Sequence, residues 1–134
     1  MRLTVYGLAG LLALCPALAC AAAEAMVDRQ DRVLYVSASV QAPAPAGACY
    51  SVLSDFERLP EFVPGMRYSR VVSQPGEMLR VEQVGVTGPA IFGLTVRVTL
   101  GIALTPPGSG YEGRIDFSSQ GPGNLRQMQG AWQV

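Results

Sequence analysis

Residues 92–104 read FGLTVRVTLGIAL, and this stretch decides the fold. Every even-numbered residue in it is apolar, and the odd-numbered positions hold only Gly, Thr, Arg or Ala. Successive side chains of a β-strand point to opposite faces of the sheet, so the alternation predicts one long strand with one buried face. We expect the even-numbered residues of this row to be buried.

Shorter alternating segments lie on both sides of this row. We predict strands at 33–40, 66–73 and 78–87 before it, and at 111–118 and from residue 125 onward after it. The apolar residues of the 78–87 segment change parity, which predicts a β-bulge near Glu82 or Gln83. Short turns rich in Pro and Gly join most of these segments, so we expect neighbouring strands to be antiparallel.

The segment between the first two predicted strands is helical in pattern. Pro45 suits the first turn of a helix, and we predict one helix over 46–53 and a second short helix ending near Pro64. Asp55 lies between them, where its carboxylate is expected to accept N–H groups of the second helix. The order of elements predicts an α+β fold, with a curved antiparallel sheet and two short helices after its first strand.

Composition excludes most familiar site chemistry. The 134 residues include ten Arg and ten acidic residues, but no Lys and no His. Histidine bases, histidine metal ligands and lysine Schiff bases are therefore absent, and the balanced charge argues against a nucleic-acid binder that works by bulk charge. The carboxylate pair Glu57 and Glu61 fits a solvent-exposed helix face rather than a catalytic site. We predict no catalytic residue, no metal and no cofactor.

Residues 1–25 have the three parts of a secretory signal peptide. Arg2 is followed by an apolar run over 3–14, then by Pro16 and small residues at the positions that signal peptidase reads. This pattern predicts export to the periplasm, a lead-in over 26–32 that is flexible, and a domain over 33–134. Alternatively, the run Ala17-Leu18-Ala19-Cys20 resembles a lipobox, which predicts a lipoprotein anchored at Cys20.

One motif carries a family resemblance. Residues 52–66 read VLSDFERLPEFVPGM and are followed by SRVV at 69–72, and Gly130-Ala131-Trp132 comes later. Together these resemble the START-like, helix-grip superfamily, and within it the bacterial polyketide-cyclase and coenzyme-Q-binding proteins. The resemblance covers residues 33–134 and implies the α+β helix-grip fold already indicated by the pattern.

The resemblance also implies a function. Helix-grip proteins enclose a cavity between sheet and helices, which implies an apolar small-molecule partner, lipid- or quinone-like. The residues that the fold would turn toward this ligand are Phe62, Met66, Phe92, Leu94, Val96, Phe117 and Trp132. Two alternatives stay open: a cyclase or aromatase using Tyr35, Tyr68 or Arg97, and a protein-interaction module without a small ligand. The scarcity of catalytic residue types favours binding over catalysis.

The resemblance further implies elements that this sequence does not supply. The family continues past the strand-six Trp with another strand and a long C-terminal helix over the concave face of the sheet. Without them, we expect the apolar row 92–104 to be uncovered and the chain to be a truncated family member, or one completed by a partner. An exposed apolar row of that length predicts self-association through the sheet.

Overall fold

The sheet dominates the structure, a computed structural model that describes residues 2–6, 23–87, 93–121 and 123–134. Its strands are β1 (Arg2–Tyr6), β2 (Ala23–Gln30), β3 (Val33–Val40), β4 (Met66–Ser73), β5 (Met78–Thr87), β6 (Leu94–Thr105), β7 (Arg114–Ser119) and β8 (Gln129–Gln133). They form one antiparallel sheet in the order β2-β3-β1-β8-β7-β6-β5-β4. The predicted α+β fold with a helix-grip sheet is confirmed.

The helices come where the sequence predicted them. Helix α1 spans Ala46–Ser54, a 3₁₀ turn covers Phe56–Arg58, and α2 spans Leu59–Phe62. The predicted capping role of Asp55 is wrong, because its exposed side chain makes no capping hydrogen bond and its backbone carbonyl accepts from the N–H of Arg58 instead. The backbone itself therefore makes this corner.

One face of the sheet, called here the core face, carries the hydrophobic core. Its most deeply buried side chains are Val81, Ile102 and Ile115, from β5, β6 and β7. Tyr50 of α1 and Phe56 of the 3₁₀ turn complete the cluster from the helical side. Burying side chains of this size contributes about 1.5–3 kcal/mol each, so this layer is the main source of stability.

The apolar row of β6 is buried only in part. Val98, Leu100 and Ile102 are buried, as the alternation predicted, but Leu94 is 71% exposed. The expectation of an uncovered row is wrong for the buried residues, because helical side chains and Leu125 and Met128 pack against the same cluster. Self-association through the sheet therefore stays a prediction, without the wide apolar patch that motivated it.

The predicted bulge in β5 is also wrong. The β5–β6 register runs without interruption from Met78 opposite Ala103 to Thr87 opposite Leu94. The irregularities lie in β4 instead, between Met66 and Tyr68 and between Val71 and Ser73. The apolar pattern of β5 changes parity because Gln83 and Gly85 occupy core-face positions, while Val84 and Val86 lie on the opposite face.

The N-terminal part of the chain differs from the expected flexible lead-in. Residues 26–32 fall mostly within β2, which pairs with β3 along its whole length through a two-residue turn. Asp31 makes this turn with a φ of 56°, a left-handed conformation that Asp tolerates better than most residues. Residues 7–22, which hold most of the predicted signal peptide, lie outside the described part, and its cleavage remains a prediction.

Candidate ligand-binding site

Helix α1 meets the core face of the sheet at Tyr50, which belongs to the hydrophobic core cluster. Tyr50 projects from α1 onto the end of β7, where its ring lies against Gly113. A Cβ at Gly113 would come within 2.9 Å of the Tyr50 Cδ2 atom, so the glycine makes room for the ring. The helix begins after Pro45, whose carbonyl accepts from the N–H groups of Ala48 and Cys49.

The Tyr50 hydroxyl is chemically distinctive. The residue is only 8% exposed, and its hydroxyl is the one buried side-chain polar atom without a hydrogen-bond partner among the described residues. Burial raises the pKa of this hydroxyl, so it stays protonated at neutral pH and can donate a hydrogen bond. A buried donor without a partner costs about 1–3 kcal/mol, so its presence in a core calls for a reason.

A second polar feature lies on the core face, farther along the sheet. Ser69 of β4 is buried directly opposite Gln83 of β5, and the Gln83 Nε2 atom donates to the Ser69 Oγ atom at 3.3 Å. This pair satisfies itself, unlike the Tyr50 hydroxyl. Sequence reasoning missed all three residues, although the parity change of β5 at Gln83 was a signal that a polar residue enters the core there.

The structure separates the residues that the resemblance placed around a ligand. Phe117 lies in the core cluster, and Trp132 packs against its margin, directly opposite Ile115. Val96 is half-buried near the exposed Leu94. Phe92 lies outside the described residues. Only Phe117 and Trp132 therefore share the layer that Tyr50 enters.

Phe62 and Met66 lie together in a different place. They line a surface groove of about 330 Å³ that is formed by the continuous segment 60–67 at the end of α2. Phe62 is 48% exposed there, and Met66 is half-buried. A groove of this size fits part of a small ligand, but it opens to solvent rather than between the sheet and helices.

The opposite side of the sheet, called here the outer face, carries charge. Arg114 and Asp116 of β7 make a bidentate ion pair with distances of 2.7–2.9 Å. Asp116 also borders a second groove, of about 300 Å³, together with Met78, Ala103, Ser118 and Gln129.

The three groups considered for cyclase chemistry do not face the core. Tyr68 of β4 lies opposite Val84 of β5, and Val84 lies opposite Arg97 of β6. Tyr68 and Arg97 therefore share one row across the outer face. Tyr35 falls on the same face by the register of β3, β1 and β8. A substrate enclosed between the sheet and helices would not meet these side chains.

Other kinds of site find no support in the part of the chain that is described. Residues 2–6, 23–87, 93–121 and 123–134 contain no group of three or more acidic, Cys or His side chains that could hold a metal ion. No helix within these ranges is both long and apolar enough to cross a membrane. Cys49 is a free thiol in α1, half-buried, with its Sγ atom 3.9 Å from the Ala44 carbonyl.

Comparison with known proteins agrees with the fold. Residues 42–134 match the family described as polyketide cyclase / dehydrase and lipid transport. No curated protein and no solved structure gives a significant match to the chain. The matched range runs from just before α1 to the end of β8 and includes the helix–sheet junction around Tyr50. The chain belongs to the polyketide cyclase / dehydrase and lipid transport family.

Proposed function

We propose that this protein is an exported binding module that holds an apolar small molecule, lipid- or quinone-like, between the core face of the sheet and its helices. Family membership supports a binding domain of this type. The apolar composition of the core face supports it too, since small-molecule pockets are lined mainly by hydrophobic and aromatic side chains with few polar groups.

The unpaired hydroxyl of Tyr50 is the observation that carries the proposal. Because Ser69 and Gln83 satisfy each other, the Tyr50 hydroxyl is the unpaired donor of this face, and it would select a ligand with an acceptor oxygen on an apolar body. A quinone carbonyl or a lipid ester has this chemistry, whereas a pure hydrocarbon does not. The ligand would displace apolar contacts around Phe117 and Trp132 and give the hydroxyl the partner it lacks.

Export is a separate part of the proposal. The charge, apolar run, Pro and small residues of segment 1–25 support delivery to the periplasm, with acylation at Cys20 as the alternative. N-terminal sequencing of protein from a periplasmic extract decides between them. A start between Cys20 and Met26 supports export, acylated Cys20 supports the lipoprotein, and an intact Met1 in that fraction contradicts both.

Ligand binding is tested by extraction and by one matched pair of variants. Organic extraction of protein purified from its native host, followed by mass spectrometry, should yield an apolar compound that contains oxygen. Tyr50→Phe should weaken binding of decylubiquinone about tenfold, the equivalent of one hydrogen bond, and leave binding of dodecylbenzene unchanged. Tyr68→Phe on the outer face is the control and should alter neither affinity.

The same variant has a second signature. Without ligand, Tyr50→Phe should raise the free energy of unfolding by about 1 kcal/mol, because it removes a buried donor that has no partner. A gain in stability together with weaker quinone binding indicates a group that contacts the ligand. Substitution of a residue that only packs would lower both the stability and the quinone affinity, or change neither. An empty extract together with unchanged quinone affinity in Tyr50→Phe would contradict the proposal.

A further inference from the structure

Three arginines lie close together on the outer face of the sheet and are called here the arginine patch. Arg70 of β4 lies directly opposite Glu82 of β5, and Arg80 lies two positions from Glu82 along the same strand. Arg97 of β6 is diagonal to Glu82, because Thr99 is the residue directly opposite it. Diagonal neighbours in a sheet are about 7–8 Å apart, so the three arginines flank one acidic residue.

The arginine patch is available to an external anion. All three of its residues are exposed, and none of them forms an ion pair with another described residue. Arg114, farther along the outer face, differs because Asp116 already holds it in a bidentate pair. Since Glu82 is the only acidic residue that the three arginines flank, the patch keeps an excess of positive charge.

This charge is segregated within a chain whose formal net charge is zero. The helical corner over residues 55–61 carries three acidic residues and one arginine, and that arginine, Arg58, is paired with Glu61. The helical side chains pack on the core face, so the two charged regions lie on opposite sides of the sheet. A negatively charged surface would therefore attract the outer face and repel the helical corner, which would orient the molecule.

An exposed aromatic residue accompanies the arginines. Tyr68 is 39% exposed, and its row across the outer face continues through the half-buried Val84 to Arg97. Tyrosine combines an apolar ring with a polar hydroxyl and suits the headgroup level of a bilayer, while arginine binds phosphate oxygens through two N–H groups. This combination fits a lipid surface better than a nucleic acid, whose binding depends on many phosphate contacts.

We propose that the arginine patch docks this protein on a bilayer that contains anionic lipids, with the outer face toward the headgroups and the helices away from them. The charge complementarity and the exposed Tyr68 carry the proposal, and the family description, which includes lipid transport, supports a membrane as the partner. The patch lies on the opposite side of the sheet from Tyr50. Docking is therefore independent of the ligand site, and Tyr50→Phe should leave it unchanged.

Co-sedimentation of the full chain with vesicles tests the proposal. One set of vesicles is phosphatidylcholine alone, and the other contains roughly one-third phosphatidylglycerol. The combined variant Arg70→Gln and Arg97→Gln should bind the anionic vesicles about 25-fold more weakly than the parent, at about fivefold for each arginine. Binding to neutral vesicles should not change, and this arm also measures any contribution of the apolar run in residues 1–25, which all variants share.

A gain of binding and a matched control complete the experiment. Glu82→Gln removes the acidic residue within the patch and should strengthen binding to anionic vesicles about fivefold. The control combines Arg29→Gln with Arg58→Gln, which removes the same charge from the other side of the sheet, because Arg29 lies opposite Leu34 of β3 and Arg58 lies in the helical corner. Near 0.1 M salt, where charges act over about 10 Å, the control should change binding by less than about twofold.

Three results would overturn the proposal. The first is an equal loss of binding in the two double variants, and the second is unchanged or weaker binding of Glu82→Gln. The third is displacement of the parent protein from anionic vesicles by duplex DNA at equal phosphate concentration, which would assign the patch to nucleic acid. Urea denaturation should give the same midpoint for all variants, since each change lies at an exposed position.

Discussion

The two ends of β6 have the same sequence pattern but differ in burial, with the half-buried Val96 and the buried Val98 between them. In the C-terminal half, Leu100 is 4% exposed and Ile102 is 1% exposed, whereas Leu94 in the N-terminal half is 71% exposed. The halves differ in what lies beside them. β7 pairs with β6 only from Leu100 to Thr105, and the helices and Phe117 cover the core face over the same stretch.

Beyond the end of β7, loop residues Gln120 and Asn124 make the hydrogen bonds to β6. The N–H of Gln120 donates to the Thr99 carbonyl, and Asn124 bonds to the backbone of Arg97 in both directions and to the Thr95 carbonyl. These contacts satisfy the edge of β6 but place little apolar surface over it. The comparison shows that alternation determines on which face of the sheet a side chain lies, while neighbouring elements determine whether that face is buried.

The largest expected effect comes from introducing a charge into the buried C-terminal half of β6. Leu100→Arg should unfold the protein, because an unpaired buried charge costs several kcal/mol, comparable to the whole stability of a small domain. Thr99→Arg, one residue away, should be tolerated because it lies directly opposite Glu82 on the outer face. Circular dichroism and urea denaturation of the two variants measure the contrast, and equal effects would show that the face assignment is wrong.

A pair of identical substitutions compares the two halves directly. Leu100→Ala should lower the free energy of unfolding by about 2–5 kcal/mol, through lost burial and the cavity left behind. Leu94→Ala should change it by less than about 0.5 kcal/mol, as is usual for an exposed side chain. Urea denaturation provides both values. A large loss at Leu94 would mean that the N-terminal half is covered in solution.

The loop that caps β6 should have a smaller, local effect. Asn124→Ala removes two hydrogen bonds, to the Arg97 N–H and the Thr95 carbonyl, and should lower the free energy of unfolding by about 1–2 kcal/mol, since each contributes about 0.5–1 kcal/mol at an exposed position. Hydrogen exchange at the Arg97 amide should accelerate most. Asn124→Asp retains the acceptor for that amide and should leave its exchange slower than in Asn124→Ala. Similar exchange in both would show that the side chain does not hold this edge.

The smallest effect is expected for a solvent-exposed ion pair. Arg58 donates to Glu61 at 2.9 Å across the exposed surface of α2, and this hydrogen bond lowers the pKa of the Glu61 carboxyl. A lowered folded-state pKa adds stability above the pKa of the unfolded chain, and this stability is lost as pH falls through the folded-state value. Glu61→Gln should therefore lower the thermal midpoint slightly at pH 7 and not below pH 3. A difference that persists at pH 2 would contradict this origin.

Much of the fold could be predicted from local pattern. The positions of β3 to β8, both helices and the burial of Leu100, Phe117 and Ile115 follow from alternation and from Pro and Gly positions, because these act within a few residues along the chain; β1 and β2 were not predicted. The site was less accessible to such reasoning. Tyr50 looks like any aromatic residue of an amphipathic helix, and its burial depends on distant segments such as Gly113, more than sixty residues away.

The sequence by itself determined the order of elements from β3 onward, the parity of β6 and the exclusion of histidine and lysine chemistry. The tertiary structure alone decided which end of β6 is buried. It also decided that Gln83 enters the core opposite Ser69, and that Arg2–Tyr6 lies between β3 and β8. The physical reason is the range of the interactions. Propensity and alternation are local, whereas burial and strand neighbours depend on which distant segments meet, and a period of two is the same whether or not anything covers it.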